Sequence, residues 1–340
     1  MIATVVTVVS DASVATMTIA LSVGVEVVGD GIGEVARRPR RPPLRGIVAL
    51  AGRLETAGIS YWVIGAERGE RPVTQGVTLD PSLIATVAAR HSSDLGLVVS
   101  SAAHRDHPYN LARRLLSADH AAGGRLGWLA LDFDHGIALN ATTDTWTGAD
   151  LAPAHTADAV EAVRTLWRTW PLESVVGDRA TGLFADATQI RRADVTRGYS
   201  ITGPLNVPGS RQGDLPVWRQ WTPGDTASTT GADVLVVEDG DELPDHGSVV
   251  VRLRSPHRVG AALERIADLD GVSGVVLRLE SEALTMVLDG VLPEARRRGL
   301  VAQPPVGTLR DRLGVPPSAT PDVASHAPAF GSVVNPGGRL

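Results

Sequence analysis

The stretch at residues 95–133 reads LGLVVSSAAHRDHPYNLARRLLSADHAAGGRLGWLALDF, and it decides the fold. Two apolar runs, 95–101 and 127–133, flank a helix-like segment that opens with Pro108. Continuous apolar runs are typical of parallel strands that are buried on both faces, and proline is common at the first position of a helix. The stretch therefore predicts a strand, a helix and a second, parallel strand.

The same alternation continues along the chain on both sides of this unit. Eight strand-like runs in alternation with helical patterns predict an α/β fold, the (β/α)8 TIM barrel. A doubly wound parallel sheet is the alternative. The predicted strands are 19–28, 61–65, 95–101, 127–133, 216–221, 234–237, 248–254 and 272–279, and the predicted helices are 45–56, 81–90, 108–121, 156–170, 257–269 and 282–298.

Three segments fall outside the alternation. Residues 171–215 are rich in Gly, Pro, Asp and Thr, which predicts an insertion between strands four and five. Structureless connections longer than about 15 residues are usually functional or mobile, so this insertion is expected to cover a pocket. Residues 1–16 are expected to be a peripheral extension of a barrel that spans 17–316. The Pro/Ser/Gly-rich tail at 317–340 is expected to be extended or disordered.

The composition excludes several classes of chemistry. Hydrophobic residues make up 43% and charged residues 21%, which is ordinary for a globular protein with a full core. The chain has no cysteine and no lysine, which excludes thiolate catalysis, Schiff-base chemistry and a P-loop lysine. A net charge of −6 gives no sign of nucleic-acid binding. The absence of cysteine fits a reducing cytoplasm.

The apolar N-terminal region raises the question of a membrane segment. Asp11 and Glu26 interrupt it, and no positively charged stretch precedes it. A spanning helix needs roughly 18 uninterrupted apolar residues, and no such run exists. The sequence therefore predicts no contact with a membrane.

The active site of a barrel forms at the carboxyl ends of its strands, so these ends give a shortlist of sites. GDGIG at 29–33 lacks the spacing of a dinucleotide-binding loop, and the prolines that follow it prevent a helix. The five arginines between 37 and 45 are most simply a solvated run. Asp132, Asp134 and His135 in DFDHG lack the further ligands of a divalent metal site, so a turn is favoured there and no metal is predicted.

The turn after strand five, TPGDTASTTG at 222–231, combines glycine with five hydroxyl side chains. It lies at an expected helix start, where free backbone N–H groups favour an anion such as phosphate. A polar, capped helix start without any ligand explains the same residues equally well.

The end of strand three carries the most acid–base chemistry. His107 and Tyr109 lie just past the strand, at the expected mouth of the barrel. Since Pro108 begins the helix, His107 is near its N-cap, where the helix dipole lowers the pKa of an imidazole. A neutral imidazole accepts or donates a proton near neutral pH, so His107 and Tyr109 are predicted to be catalytic. His104 and His120 are expected to be surface residues.

The segment HPYNLARRLLSADHAAGGRLGW at 107–128 resembles the flavin-dependent monooxygenases with the bacterial-luciferase fold. It is most similar to the branch with nitrilotriacetate and dibenzothiophene-sulfone monooxygenases. Segments 159–170, 178–217 and 292–316 resemble further motifs of that branch in the same order. The resemblance implies a barrel that oxidises a small organic substrate with O2 and reduced FMN, supplied by a separate flavin reductase. Members often form homodimers.

The resemblance also implies which residues lie at the cofactor. His107, Tyr109 and Asn110 match positions beside the flavin or the substrate. Ser100 and Ser101 match positions near the edge of the isoalloxazine ring. The implied cofactor-binding set is Ser100, Ser101, Asn110, Asp132, Gln220, Thr222, Gly224 and Thr226.

This sequence departs from the family pattern at three cofactor contacts. Asp132 replaces a threonine after strand four, and a carboxylate near electron-rich flavin is unfavourable unless it is protonated or points away. The next helix usually begins with a tyrosine, and residues 152–155 read APAH instead. The phosphate-binding turn QAGSS reads QWTPG at 220–224, with bulky Trp221 in place of a small residue.

These departures leave two alternatives to the monooxygenase. One is a barrel of the same ancestry that has lost flavin catalysis and acts as a non-catalytic binding or partner subunit. The other is an oxidoreductase with a deazaflavin-type cofactor, which no residue selects. The orientation of Asp132 and Trp221 discriminates between these functions. Side chains that point into the pocket at the strand ends would fill it, whereas side chains that point away would leave it intact.

Overall fold

The computed structural model describes residues 20–28, 43–70, 79–135, 142–245, 247–318 and 321–330. Eight parallel strands close into a barrel in the order β1-β8-β7-β6-β5-β4-β3-β2. Because β1 pairs with both β2 and β8, the predicted barrel is confirmed and the doubly wound sheet is excluded. The strands are β1 Ser22–Val27, β2 Tyr61–Ile64, β3 Gly96–Ala102, β4 Leu126–Leu131, β5 Val217–Gln220, β6 Val234–Glu238, β7 Ser248–Leu253 and β8 Val272–Leu279.

Helices surround the barrel and close the end at which its strands begin, the amino-terminal end. The α-helices are α1 Pro43–Thr56, α2 Pro81–Arg90, α3 Pro108–Ala121, α4 Pro153–Arg168, α5 Val259–Ala267, α6 Leu284–Met286, α7 Leu292–Arg297 and α8 Leu309–Leu313. A π-helical segment, Val287–Val291, joins α6 to α7. Short 3-10 turns are Ala66–Gly69, Ala103–Arg105, Leu172–Ser174, Ala187–Gln189, Thr226–Ser228 and Pro256–Arg258.

The connection after β5 differs from the expected helix start. It contains only the three-residue 3-10 turn Thr226–Ser228 before β6 begins. The side chain of Asp225 caps this turn, and three hydroxyl groups bond back to carbonyls within the same connection. Side chains that bond to their own backbone compete with helix formation, which explains the short turn.

The interior of the barrel is filled by side chains from alternate strand positions. The rings of Tyr61 and Trp218 meet edge-on, with their centroids 5.0 Å apart. Gly24 on β1 makes room for the Tyr61 ring, because a Cβ at position 24 would lie 1.9 Å from a ring carbon. Leu309 and Leu313 of α8 belong to the same inner cluster and close the amino-terminal end of the barrel. The opposite end is therefore the mouth.

Replacing Gly24 by alanine is expected to lower the free energy of unfolding by about 1–3 kcal/mol, because the Tyr61 ring must shift. Gly52→Ala is the matched control, since Gly52 lies in α1 and has no atom within 4 Å of its would-be Cβ. Alanine is a better helix former by roughly 1 kcal/mol, so this variant is expected to be neutral or more stable. Urea unfolding of both variants checks the pair, and equal stabilities would contradict the close approach.

The insertion follows α4 and runs along the outside of the barrel. It contains a two-stranded antiparallel hairpin, Val175–Asp178 with Leu183–Ala185. Near its end, Ser210 donates a hydrogen bond of 2.6 Å to the buried carboxylate of Asp119 at the end of α3. In between, the chain returns to the start of α4, where Tyr199 lies. The insertion therefore reaches from the amino-terminal end of the barrel to the mouth.

Part of the C-terminal segment, for which the composition predicts an extended or disordered chain, lies along this insertion. The backbone N–H of Arg192 donates to the carbonyl of Ala327, and that of Ala329 donates to Ile190, both at 2.9 Å. Residues 1–16, GDGIG at 29–33 and the first four of the five arginines lie outside the described residues. None of the described helices is both long and apolar enough to span a membrane.

Candidate active site at the barrel mouth

His107 is fixed at the mouth by its role as the cap of α3. Its Nδ1 accepts a hydrogen bond of 3.2 Å from the backbone N–H of Tyr109. Burial lowers the pKa of His107, and the negative charge of Asp144 opposes this shift. The ring is therefore largely neutral near pH 7, with its proton on Nε2, because Nδ1 serves as an acceptor. Nε2 is the atom left for chemistry.

Two aromatic side chains from other segments surround the His107 ring. Trp146, from the connection between β4 and α4, meets it edge-on at 5.5 Å between ring centroids. Tyr199, from the insertion, meets it edge-on at 6.1 Å. Neither residue was predicted from the sequence, since nothing local marks them.

A buried acid, histidine and tyrosine connect these segments. The Oδ2 atom of Asp144 lies 2.7 Å from Nε2 of His155 and accepts a hydrogen bond of 3.0 Å from the Tyr199 hydroxyl. The same carboxylate accepts the backbone N–H of Trp146 through Oδ1, at 2.9 Å. Asp144, His155 and Tyr199, which we call the mouth clasp, are all less than one-tenth exposed. The clasp ties the β4–α4 connection and the insertion to the start of α4.

The clasp keeps Tyr199 as a hydrogen-bond donor. Burial raises the pKa of the Tyr199 hydroxyl, and the adjacent Asp144 carboxylate raises it further. The hydroxyl therefore stays protonated throughout the neutral range. It holds the insertion in place beside the His107 ring.

The serines at the end of β3 are buried and differ in orientation. Ser100 lies between Val98 and Ala102, which face the barrel interior, so its side chain points inward. Ser101 points the other way, into the layer between the strands and the surrounding helices. Among the described residues, neither Oγ atom has a hydrogen-bond partner. A buried hydroxyl without a partner in the protein usually forms its hydrogen bond with a ligand or an ordered water.

The other two residues implied on α3 are less enclosed. Tyr109 is partly buried and packs against the outer core. Asn110 is exposed on the first turn of α3. The cap hydrogen bond thus joins His107 to the backbone N–H of Tyr109, whereas the Tyr109 side chain packs against the core and Asn110 lies outside that contact.

The two substitutions that raised the question of a filled pocket both point away from the barrel interior. Asp132 follows the inward-facing Leu131 and accepts a hydrogen bond of 3.0 Å from Nη2 of Arg219. The Arg219 side chain is 1% exposed, so this partner is held firmly. Trp221 packs against the outer core. Neither the carboxylate nor the indole therefore occupies the interior.

The remaining implied cofactor residues lie on or after the end of β5 and are exposed. Gln220 lies 3.4 Å from Glu238 through its Nε2 atom. Thr222 and Gly224 are exposed in the turn, and Gly224 has a φ of 78°, which suits a residue without a side chain. Thr226 begins the 3-10 turn. The turn and His107 are therefore at the same end of the barrel.

The acidic motif after β4 has a structural partner of its own. Asp134 is buried and forms ion pairs with Arg105 at 2.9 Å and with Arg68 at 3.3 Å. His104, also buried, stacks near Phe133, with ring centroids 5.0 Å apart. His104 is thus not the surface residue that the sequence predicts, because the 3-10 turn after β3 folds it under the β4 connection. His120 is exposed, and its Nε2 lies 2.8 Å from the Pro208 carbonyl.

Charged side chains that were not predicted from the sequence fill the mouth on the side opposite His107. Arg252 of β7 is central and contacts Glu26 at 3.5 Å, Glu238 at 3.1 Å and Glu70 at 3.3 Å. The sequence shows these charged residues on apolar strands. That they face inward follows only once the strands are placed in a barrel. The members, which we call the mouth ion cluster, are Glu26, Glu70, Glu238, Arg252, Arg254 and Arg278.

Two acids of this cluster have opposite pKa shifts. Burial raises the pKa of Glu26, and the positive charges of Arg252 and Arg278 only partly compensate. Burial also acts to raise the pKa of Glu70, but hydrogen bonds from Arg254 and Arg278 outweigh it and lower that pKa to about 2. Ionised Glu70 therefore stabilises the fold, whereas ionised Glu26 costs stability.

Glu70→Gln is expected to reduce the acid sensitivity of the fold. A carboxyl with a depressed folded-state pKa contributes stability that is complete above its ordinary pKa of 4.5 and is lost as the pH falls towards 2. The variant should therefore show a smaller fall in unfolding free energy across that window. Urea unfolding between pH 5 and 2.5 (roughly this window) measures the difference, and parallel curves would contradict the assigned ion pairs.

Comparison with known proteins agrees with this architecture. No family model matches the chain. One of the subunits of pristinamycin IIA synthase from Streptomyces pristinaespiralis is 31% identical over 249 residues, which are 71% of this chain and 79% of that protein. Dibenzothiophene-sulfone monooxygenase from Rhodococcus erythropolis is 30% identical over 140 residues, which are 41% of this chain. The chain matches only 31% of the length of that enzyme.

Solved structures extend the comparison to the whole barrel. The long-chain alkane monooxygenase LadA superposes with a TM-score of 0.67 at 15% identity, over 88% of this chain and 96% of LadA. At that identity the superposition shows the shared fold. Together with the sequence relatives and the ordered motifs, it leads to one conclusion: the chain belongs to the luciferase-like family of flavin-dependent monooxygenases.

Proposed function

We propose that the chain is a two-component monooxygenase that oxidises a small organic substrate with O2 and reduced FMN from a separate flavin reductase. The observation that carries this proposal is His107, held at the barrel mouth with Nδ1 occupied and Nε2 available. Membership of the family and the name of the dibenzothiophene-sulfone relative support the reaction type. A cytoplasmic homodimer is part of the same proposal.

The residues at the end of β3 fit the ring system of a flavin. The inward-facing hydroxyl of Ser100 is buried without a partner among the described residues, so a polar ring atom would satisfy it. Asp132 adds no negative charge to the interior, because it points outward to Arg219. Bound reduced flavin would supply the electrons and activate O2.

The chain itself would supply a proton group and a dry pocket. His107 would hold or transfer a proton at Nε2, since Nδ1 is occupied by the Tyr109 N–H. The mouth clasp would keep Trp146 and Tyr199 beside that ring, and these aromatic faces would exclude water. We propose that the insertion, which carries Tyr199, covers the pocket.

The alternative, a partner subunit that does not itself bind flavin, is not favoured, since relatives of the chain are named as monooxygenases. The relative from Streptomyces pristinaespiralis is named as one subunit of a synthase, so that protein works with another chain. By analogy, the alternative makes this chain one subunit of a two-chain enzyme. The two candidates differ in one measurable property, the affinity of the isolated chain for flavin.

An anaerobic titration of the purified protein with FMN, first oxidised and then reduced with dithionite, tests the proposal. Flavin absorbance and fluorescence report binding. Saturable one-to-one binding that favours the reduced form is expected and would justify a substrate screen with a flavin reductase. Absence of binding far above cellular cofactor concentrations would overturn the proposal and favour the partner-subunit function.

A further inference from the structure

Residues 321–330 lie against the insertion, and we call them the C-terminal strap. Although their composition predicts an extended or disordered chain, the structure gives them fixed partners. Val323 is 8% exposed and lines a cleft together with Arg168 and Arg191. Nη1 of Arg168, at the end of α4, donates to the carbonyl of Pro321 at 2.5 Å. The strap is therefore held by an apolar anchor and by the side chain of a helix.

The strap pairs with the insertion as a short strand would. An antiparallel bridge joins Arg191 to Pro328, and one backbone hydrogen bond of 2.9 Å lies on each side of it. Nδ1 of His326 lies 2.9 Å from the carbonyl of Arg192. Because backbone N–H and C=O groups need hydrogen-bond partners, these contacts fix the path of residues 190–192.

The fixed segment leads directly into the loop that carries Tyr199. The N–H of Ala193, the residue after Arg192, donates to the carbonyl of Thr202 at 2.7 Å, and an antiparallel bridge follows inside this pair. Residues 193–202 therefore form a hairpin-like loop with Tyr199 near its tip. Hydrogen-bonded elements of this kind carry a displacement from one end to the other. The position of Tyr199 thus depends on how the base of the loop is held.

Tyr199 contacts two groups at the mouth. Its hydroxyl donates to Asp144 at 3.0 Å, and its ring meets the His107 ring edge-on at 6.1 Å. His155 holds Asp144 independently at 2.7 Å, so the carboxylate would keep its place if Tyr199 moved. We infer that the C-terminal strap positions Tyr199 against His107 and so helps to enclose the active site. The importance of this contact for turnover rests on the proposed function.

Release of the strap is expected to raise the pKa of His107. Burial is the largest influence on this pKa and lowers it, and the negative charge of Asp144 opposes the shift. If Tyr199 withdraws, the imidazole is less buried while Asp144 stays, so the protonated ring becomes more favourable. The pKa of His107 should then rise by roughly 0.3 or more, towards its ordinary value of 6.5.

The test compares two variants of the full chain that release the strap with two matched controls, all without flavin. Val323→Asp places a carboxylate at the buried anchor, whereas Val306→Asp places the same charge at a position that is 84% exposed. Ala329→Pro removes the N–H that donates to the Ile190 carbonyl, whereas Ala329→Ser keeps it. NMR titration of the imidazole C–H signals measures the pKa of His107, and the variant His107→Asn assigns those signals.

A higher pKa of His107 in both release variants, with both controls at the wild-type value, is the expected result. A wild-type pKa in the release variants, or an equal rise in the controls, would overturn the inference. Urea unfolding checks that each variant is folded, and Ala329→Pro decides the question alone if Val323→Asp does not fold. If reduced FMN fails to bind the wild type, the proposed function is overturned, whereas the pKa comparison still decides whether the strap positions Tyr199.

Discussion

Arg252→Met is expected to lower the free energy of unfolding by about 3–5 kcal/mol, the usual cost of breaking a buried ion pair from one side. The Arg252 side chain is 2% exposed and contacts three carboxylates of the mouth ion cluster. Among the described residues, the Glu26 carboxylate accepts no hydrogen bond, so ion pairs with arginines are what hold its charge. Urea unfolding at neutral pH, followed by tryptophan fluorescence, measures the loss.

Two further variants and a pH series separate charge from packing. Arg254→Met removes a side chain that is 44% exposed and should cost less than about 1 kcal/mol. Adding Glu26→Leu to Arg252→Met removes the unpaired carboxylate and should restore part of the stability. Because burial already raises the pKa of Glu26, mild acidification should also reduce the deficit of Arg252→Met by protonating that residue. A deficit no larger than that of Arg254→Met would contradict the central role of Arg252.

The eight strands and most helices are predictable because their signals are local. The predicted segments 81–90 and 108–121 coincide with α2 and α3. At α2, Asp80 accepts the backbone N–H of Ser82 at 2.9 Å and Pro81 occupies the first helical position, as the capping pattern predicts. Such signals lie within a few residues of each other, so no knowledge of the tertiary fold is needed.

The mouth clasp and the mouth ion cluster depend on distant segments. Tyr199 is 55 residues from Asp144 and 44 residues from His155, and the path of the insertion alone brings them together. Glu26 and Arg252 meet because the barrel closes, with β1 and β7 both paired to β8. The sequence shows these residue types, but their contacts follow from closure and from the insertion.

At Asp132 and in the connection after β5, the residue type alone does not give the chemistry of the side chains, because their orientation and hydrogen bonds decide it. A carboxylate at position 132 suggests an unfavourable charge at the cofactor, yet the outward direction of the side chain and its bond to Arg219 remove that charge from the interior. Hydroxyl groups at 222–231 suggest a phosphate cradle, yet three of the five, those of Ser228, Thr229 and Thr230, bond to carbonyls of the same turn. In both places, hydrogen-bond partners that are distant in sequence or invisible in composition decide the chemistry.

His107→Asn is expected to lower turnover by about 10²–10⁴-fold, the usual contribution of a positioned general acid or base. Asparagine is a good N-cap, so it can accept the Tyr109 N–H that Nδ1 of His107 accepts now. His107→Ala removes the cap as well and should cost a further ~1 kcal/mol of stability. The pair therefore separates the loss of the imidazole from the loss of the cap.

The pH profile distinguishes a proton-transfer role from a packing role for His107. Since burial lowers the pKa of His107 below its ordinary value of 6.5, a base function should persist in mildly acidic solution and fall only below that lowered pKa. Turnover of the substrate found in the screen, with reduced FMN supplied at saturation, is measured across this range for the wild type and both variants. The acidic limb should disappear in both variants. Full turnover in His107→Asn would remove this residue from the mechanism, whereas a retained acidic limb at reduced turnover would assign the titration to another group and leave His107 with a packing role beside Trp146 and Tyr199.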